Sequence, residues 1–466
     1  VSQRPLLPDR DPFYRAPDGF QRLPDGAVLR SRVVELAVFG VVPLRVSAWQ
    51  LLYRTRDRDG VAEAAVTTVL LPHGSRPDPS RPLVSFQCAI DAVAPQCFPS
   101  YALRRGARAL GAIPQLELPL IVAALARGWA VSVPDHGGLG GRFGVAREPG
   151  YRALDGIRAA LSFAPIGGDA ATTPVALWGY SGGGLATAWA AELAAGYAPE
   201  LGIVGAVAGS PVGDPGNAFV RLNGTWFAGF AMVFTAGLRR GYPELDDVLR
   251  GRLRPRYLAM LAKAEVTPTI PLLAALARRN VDRHSDTGLA ALITHPRMVE
   301  ILDDIRPGAH APEMPLFVLQ GVNDEVIAAA DVDALVHRYT EAGARVRYIR
   351  DRLSTHLPLQ FLGIPVMTDW IAARFAGAPA PEGTTTVWSV AFARRALALH
   401  LHMAYLTLRL LTARPIQPSS PAMDSGRKRA GRRVGFIAGH APRRTPDIRG
   451  ESVLPPDVRR IPHGRR

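Results

Sequence analysis

Ser181, Asp324 and His356 are the residues whose types, order and surroundings could together do chemistry. Ser181 lies in Trp178-Gly179-Tyr180-Ser181-Gly182-Gly183-Gly184, after the apolar run Val175-Ala176-Leu177 and before the helix-like stretch Leu185 to Ala191. A serine with glycine two residues away on each side, between strand and helix, reads as a nucleophile elbow. The glycines give a strained turn, and an incoming carbonyl carbon, the room they need. A tight turn with a serine N-cap would also fit the string taken alone. A serine hydroxyl is a weak nucleophile, so this chemistry needs an imidazole to take its proton and a carboxylate to fix the ring's tautomer and balance its charge.

In chains built around such an elbow, the two helpers follow in the order acid, then histidine. Pro315 to Gly321 reads as a buried strand ending in a turn, and Asp324 follows where a strand-end carboxylate would point into a site. Glu325 competes for that role; Asp324 is favoured because it lies nearer the strand end and its shorter side chain suits a tight turn. Asp331 to Ala342 then reads as a helix and Ala344 to Ile349 as a short strand. Leu353-Ser354-Thr355-His356-Leu357-Pro358 is the loop that delivers the expected general base, His356. His136 precedes the nucleophile, the wrong order for a base, and reads as a loop residue near the site mouth. His73, His284, His295, His310 and His337 read as surface or structural.

These residues also carry a resemblance. Asp11-Pro12-Phe13-Tyr14, Cys97 to Tyr101, Val133-Pro134-Asp135, Gly150-Tyr151, Leu154-Asp155, Trp178 to Gly183, Asn223-Gly224-Thr225 and Phe227-Ala228-Gly229 join the acid and histidine loops in a pattern running from about Asp11 to Gly377. In this pattern the chain resembles the secretory lipase family typified by Candida antarctica lipase A. The resemblance implies an α/β-hydrolase fold and a catalytic triad at Ser181, Asp324 and His356, in agreement with order and spacing. The oxyanion of an acyl-transfer intermediate needs two donors, one expected from the backbone N–H of Gly182 and one from the loop after an early strand. Leu83 to Phe86 is such a strand and Gln87 to Pro95 its loop. The resemblance assigns the second donor to the N–H of Asp91, and export of the protein, to the exterior or the cell envelope, is implied in the same way. Cys88 and Cys97 either form a disulfide around this loop or stay free. The family's usual partner for the Cys97 position is missing. The opening Val1-Ser2-Gln3-Arg4-Pro5 shows no secretory signal and suggests a processed or incomplete start.

The elements needed to position these groups fit a chain of 466 residues with 48% hydrophobic content. Alternating strand and helix patterns predict a mainly parallel central sheet. The stretch between Ser181 and Asp324 exceeds the about two or three βα units a minimal core needs, which leaves room for a helical cap. The expected division is an N-terminal segment over 1–80, the first part of the core over 81–211, the cap over 212–310 and the second part of the core over 311–377. A linker with an amphipathic helix over 378–413 and a basic, disordered tail over 414–466 complete it. Within the cap, Phe227 to Leu238, Glu244 to Leu253 and Pro271 to Arg279 read as helices that would bury an acyl chain above Ser181.

The net charge of +15 resides mostly in the tail, where Arg414 to Arg466 holds 13 basic and 4 acidic residues. Trp388 to Ala413 lacks glycine and proline and reads as a long apolar helix, with Arg395, His402 and Arg409 on one stripe. Its uncharged run falls short of the about 20 apolar residues needed to cross a bilayer, so a position on a membrane surface or against a partner is expected. No cofactor or metal motif is read. The expected partners are a lipid or ester substrate and a lipid interface reached through the cap and the 388–413 helix; nucleic acid is not expected. The chemistry predicted is hydrolysis of carboxylic esters through an acyl-enzyme, foremost of triacylglycerols. A carboxylesterase or acyltransferase on smaller or soluble esters is the alternative within enzymes. From another class, the alternative is a non-catalytic surface binder that keeps the fold.

Overall fold

The computed structural model describes residues 4–392 and 396–418. Its strands are β1 (Val28–Val33), β2 (Leu36–Val38), β3 (Val42–Leu44), β4 (Ser47–Arg56), β5 (Ala62–Leu71), β6 (Leu83–Gln87), β7 (Ala130–Pro134), β8 (Val175–Tyr180), β9 (Ile203–Gly209), β10 (Leu316–Gly321), β11 (Val346–Asp351) and β12 (Gly383–Val387). β2 and β3 pair as a separate hairpin; the other ten form one sheet in the order β1-β4-β5-β7-β6-β8-β9-β10-β11-β12. Pairing is antiparallel from β1 to β7 and parallel from there to β12. β6, β7, β8 and β10 are buried at every position, as their mostly apolar, non-alternating runs suit strands covered on both faces.

One face packs against the helices Leu118–Ala126 and Ile364–Phe375, the other against Glu148–Ser162 and Gly182–Tyr197. Strand order reverses around β6, which lies between β7 and β8, and crevices at such a reversal, outside the carboxyl ends of parallel strands, are where ligands bind. Gln87 at the end of β6 is in register with Gly179 of β8, and Gly321 at the end of β10 with Asp351 of β11. The segments carrying Asp91, Ser181, Asp324 and His356 therefore all leave the sheet at one edge. Between β9 and β10, helices from Pro215–Leu222 to Pro296–Asp304 build an apolar cluster around Val233, Leu249, Leu261 and Ile301 that also takes in Phe143, Leu185 and Trp189.

Three expectations need correction. The sheet starts at Val28, because β1, β4 and β5 pair into it, so 1–80 supplies core strands and is more than a lead-in. Gly383–Val387, read as linker, is the edge strand β12; its Thr384-Thr385-Thr386 run is β-branched and suits an edge. The last helix spans Ala396–Leu411 and does not begin at Trp388. Residues before it are held in another shape: Arg352 N–H donates to Val387 O, Leu353 N–H to Trp388 O, and Val390 N–H to the Asp351 carboxylate.

The start of the tail is ordered as well. Ile416 is fully buried, its N–H donates to Arg45 O, and its carbonyl accepts from His73 N–H. The expected disorder from Pro415 onward thus does not apply to 415–418, while Arg395 and residues 419–466 lie outside the described residues. Among the described residues no helix is long and apolar enough to cross a membrane.

Trp178 anchors the strand that delivers the serine: it is fully buried and packs edge-on against Phe86 of β6, with ring centroids 5.2 Å apart. Trp178→Ala should cost about 3–5 kcal/mol of stability, read as a lowered midpoint in urea unfolding.

Candidate active site

Ser181 sits between β8 and the helix Gly182–Tyr197 with φ 56° and ψ −122°, a left-handed backbone that an L-residue rarely adopts. The turn is held by Ser181 N–H donating to Gly209 O at 2.8 Å and by Leu185 N–H donating to Ser181 O at 3.0 Å. Its glycines are required by contact. A β-carbon on Gly179 would lie 2.2 Å from Gly183 O, and one on Gly183 would lie 2.0 Å from Gln87 O.

Ser181, His356 and Asp324 form one hydrogen-bonded chain. Ser181 Oγ is 2.9 Å from His356 Nε2, and His356 Nδ1 is 2.7 Å from Asp324 Oδ2. An ionised carboxylate only accepts, so Nδ1 carries the proton and Nε2 is left to accept from the serine hydroxyl. Burial works against ionisation of Asp324, but the hydrogen bond and charge of His356 outweigh it. The amides of Val326 and Ile327, donating to Oδ1 at 2.9 and 2.7 Å, add to that pull and hold the carboxyl below its ordinary value. Glu325, the competing acid, does not reach the ring; it accepts the backbone N–H of His356 at 3.0 Å. The helix His356–Leu362 begins at the histidine itself, where the sequence reads as loop.

Asp91 meets this chain from the loop after β6. Its φ is 41°, and a β-carbon on Gly182 would fall 1.9 Å from Asp91 Oδ1, which puts the carboxyl group against the first residue of the nucleophile's helix. First-turn amides of a helix have no acceptor within it, so the N–H of Gly182 is free of intrahelical demand. Burial pushes the Asp91 carboxyl up to about 7, opposed by the charge of His356.

Three buried side chains hold the Asp91 loop. Glu117 Oε2 accepts Ala89 N–H at 2.8 Å, while its Oε1 accepts from Gln360 of the histidine's helix at 2.6 Å. His136 is not at the mouth: it is buried, with Nε2 2.7 Å from Cys88 O, and burial keeps it neutral by lowering its value to about 4. Thr269 Oγ1, from the cap, donates to Asp91 O at 2.9 Å. Tyr180 holds His356 in the same manner, its hydroxyl donating to His356 O at 2.6 Å. Cys88 and Cys97 are both buried, free thiols, so no bridge closes the loop.

Above Ser181 and Gly182 opens a narrow apolar pocket walled by Phe143 of the core and by Phe219, Leu222, Phe230 and Phe234 of the cap. A second apolar cavity inside the cap shares Phe219 and Ala231 with it and continues past Met232 and Leu249. Among the described residues no group of three His, Cys, Asp or Glu is placed to hold a metal ion.

Sequence reasoning missed Tyr180, Glu117 and Thr269. Tyr180 adjoins the nucleophile and was within reach of a reading; Glu117 and Thr269 gain their roles only through long-range packing. Burial raises Glu117 from an ordinary 4.5 to about 8, with hydrogen bonds from Ala89, Cys88 and Gln360 opposing and the charge of Asp91 adding to the rise. The fold thus favours its neutral form. The stability this confers is complete below about 4.5 and is lost as pH rises through about 8. Glu117→Gln, which cannot ionise, should flatten the fall in thermal midpoint across that window, as read by thermal unfolding at stepped pH.

Comparison with known proteins follows the same outline. The family model described as secretory lipase matches residues 103–383. A Mycobacterium tuberculosis protein named "Probable inactive lipase" is 46% identical over 414 residues, covering 89% of this chain and 93% of that one. Lipase A of Arthroderma benhamiae is 34% identical over 427 residues, covering 89% and 90%. The closed-state crystal structure of Candida antarctica lipase A superposes with a TM-score of 0.78 at 27% identity, covering 89% of this chain and all of that one. With that fold, and matches over most of its length, the chain belongs to the secretory lipase family and has the α/β-hydrolase fold.

Proposed function

We propose that this protein hydrolyses carboxylic esters, foremost triacylglycerols, through an acyl-enzyme on Ser181. The observation that carries the proposal is the unbroken chain Asp324–His356–Ser181 at 2.7 and 2.9 Å beneath an apolar pocket. Ser181 Oγ attacks the ester carbonyl as His356 Nε2 takes its proton, and Asp324 stabilises the resulting imidazolium. The backbone N–H groups of Gly182 and Asp91 receive the oxyanion. The intermediate collapses with His356 protonating the leaving alcohol, and water, activated by the same imidazole, releases the fatty acid. A carboxyl group poised near 7 beside the oxyanion is largely uncharged below that pH, which spares the intermediate a like-charge neighbour.

The two neighbouring apolar cavities, which share Phe219 and Ala231 in their walls, suit a long acyl chain. Esterase or acyltransferase action on smaller esters is the reading if the deeper cavity is unused. Export is proposed on the strength of the family, whose name is secretory lipase. A non-catalytic role has one observation in its favour, the name of the 46% identical relative.

Labelling by a fluorophosphonate probe together with turnover of p-nitrophenyl esters separates these readings. Wild type should label and turn over, and Ser181→Ala should lose labelling and on the order of 10⁶-fold in kcat with its thermal midpoint retained. A wild-type chain that neither labels nor turns over would leave the non-catalytic role. Ala231→Phe, in the wall that the two cavities share, should cut kcat/KM for long-chain esters and emulsified triglyceride by about tenfold or more while sparing acetate and butyrate esters. Equal losses at all chain lengths would remove the deep cavity from the acyl site.

A further inference from the structure

The helix Ala396–Leu411 is apolar on two opposite faces. Leu406 and Leu410 point inward, 4% exposed, and join the core cluster that includes Leu118, Ile121 and Met367. On the outward side Leu401, Tyr405, Leu408 and Leu411 follow at three- and four-residue steps and are 63%, 49%, 60% and 53% exposed. A surface helix ordinarily places polar residues there, and contiguous apolar exposure marks a site of contact. The charge around the helix is one-sided. No aspartate or glutamate occurs between Glu382 and Asp424, whereas Arg394, Arg395, Arg409 and Arg414 fall within that stretch and 13 basic residues against 4 acidic ones run from Arg414 to Arg466.

We propose that this outward face docks the protein on an anionic lipid surface, the four large side chains entering the interface while the flanking arginines and the basic C-terminal segment meet lipid headgroups. Apolar insertion and cationic attraction add in such binding, and neither alone gives a lasting hold. With 16 residues, the helix suits lying in the interface. An acidic protein partner would meet the charge but would leave no reason for four aliphatic and aromatic side chains in a row. A second copy of this chain would meet the apolar stripe and repel the charge.

Sedimentation of the full-length chain with vesicles tests the proposal, using phosphatidylcholine alone and phosphatidylcholine with about one-third phosphatidylglycerol. The chain should bind the anionic vesicles, and less so as salt rises. The double variant Leu401→Ser, Leu408→Ser should bind about tenfold more weakly with its thermal midpoint and its turnover of a soluble p-nitrophenyl ester unchanged. Arg427→Gln, Lys428→Gln and Arg429→Gln together should weaken binding to anionic vesicles alone. Undiminished binding by the double variant, equal binding to neutral and anionic vesicles, or no binding at all would overturn it, as would a solution dimer that the double variant disperses. The readout is binding, so it stands or falls separately from the ester chemistry.

Discussion

The site depends on one backbone conformation that the chain would not choose freely. A residue with a β-carbon held at φ 56° costs of order 1–3 kcal/mol, and it persists only where its surroundings over-determine it. Here they do: β8 is buried at every residue, β9 accepts the serine's own N–H, and the glycines before and after let the helix start within touching distance of the strand. The sharpness of the turn lifts the hydroxyl clear of the sheet edge. It also leaves the first amide of the helix beside that hydroxyl. The serine hydroxyl and the first helix amide are thus both placed by a single kink.

Around that kink the acids are sorted by environment. Asp324 has two amides and an imidazole to favour its charge, and is held low. Asp91, Glu117 and Asp135 are buried without a cation in contact, and are pushed up to about 7, 8 and 7. Separated acidities of this kind let neighbouring carboxyl groups do different work at one pH. Glu117 shows the structural side of this: one carboxyl group fastens both the Asp91 loop and the helix that opens with His356, which keeps two walls of the site at a fixed separation.

The hydrogen-bonded grouping of Ser181, His356 and Asp324 was legible in the sequence because each carries a local signature, with glycines about a serine, a turn acid after an apolar strand, and a histidine one βα unit later. Asp324 was favoured over Glu325 from its place nearer the strand end, and the geometry separates the two as ring partner and backbone cap. The general plan of strands and helices was legible through periodicity. Where the reading failed, a distant contact overrode the local pattern. Trp388 to Val390 was read into the last helix for want of glycine and proline, yet the Trp388 carbonyl and the Val390 amide are claimed by Leu353 and Asp351. Ile416 lies in a proline-flanked, basic stretch and is buried all the same, because a gap beside Arg45 and His73 receives it.

The hydroxyl of Thr269 ties the cap to the loop after β6. It belongs to the inserted helices, yet it grips the carbonyl of the residue assigned to the oxyanion. An insertion that merely roofed a pocket would make no bond to the loops below it. This one is wired into the machinery beneath it. A rearrangement of the inserted helices that displaces Thr269 therefore removes a hydrogen bond from the loop beside Ser181, while changes confined to the cap's interior leave it in place.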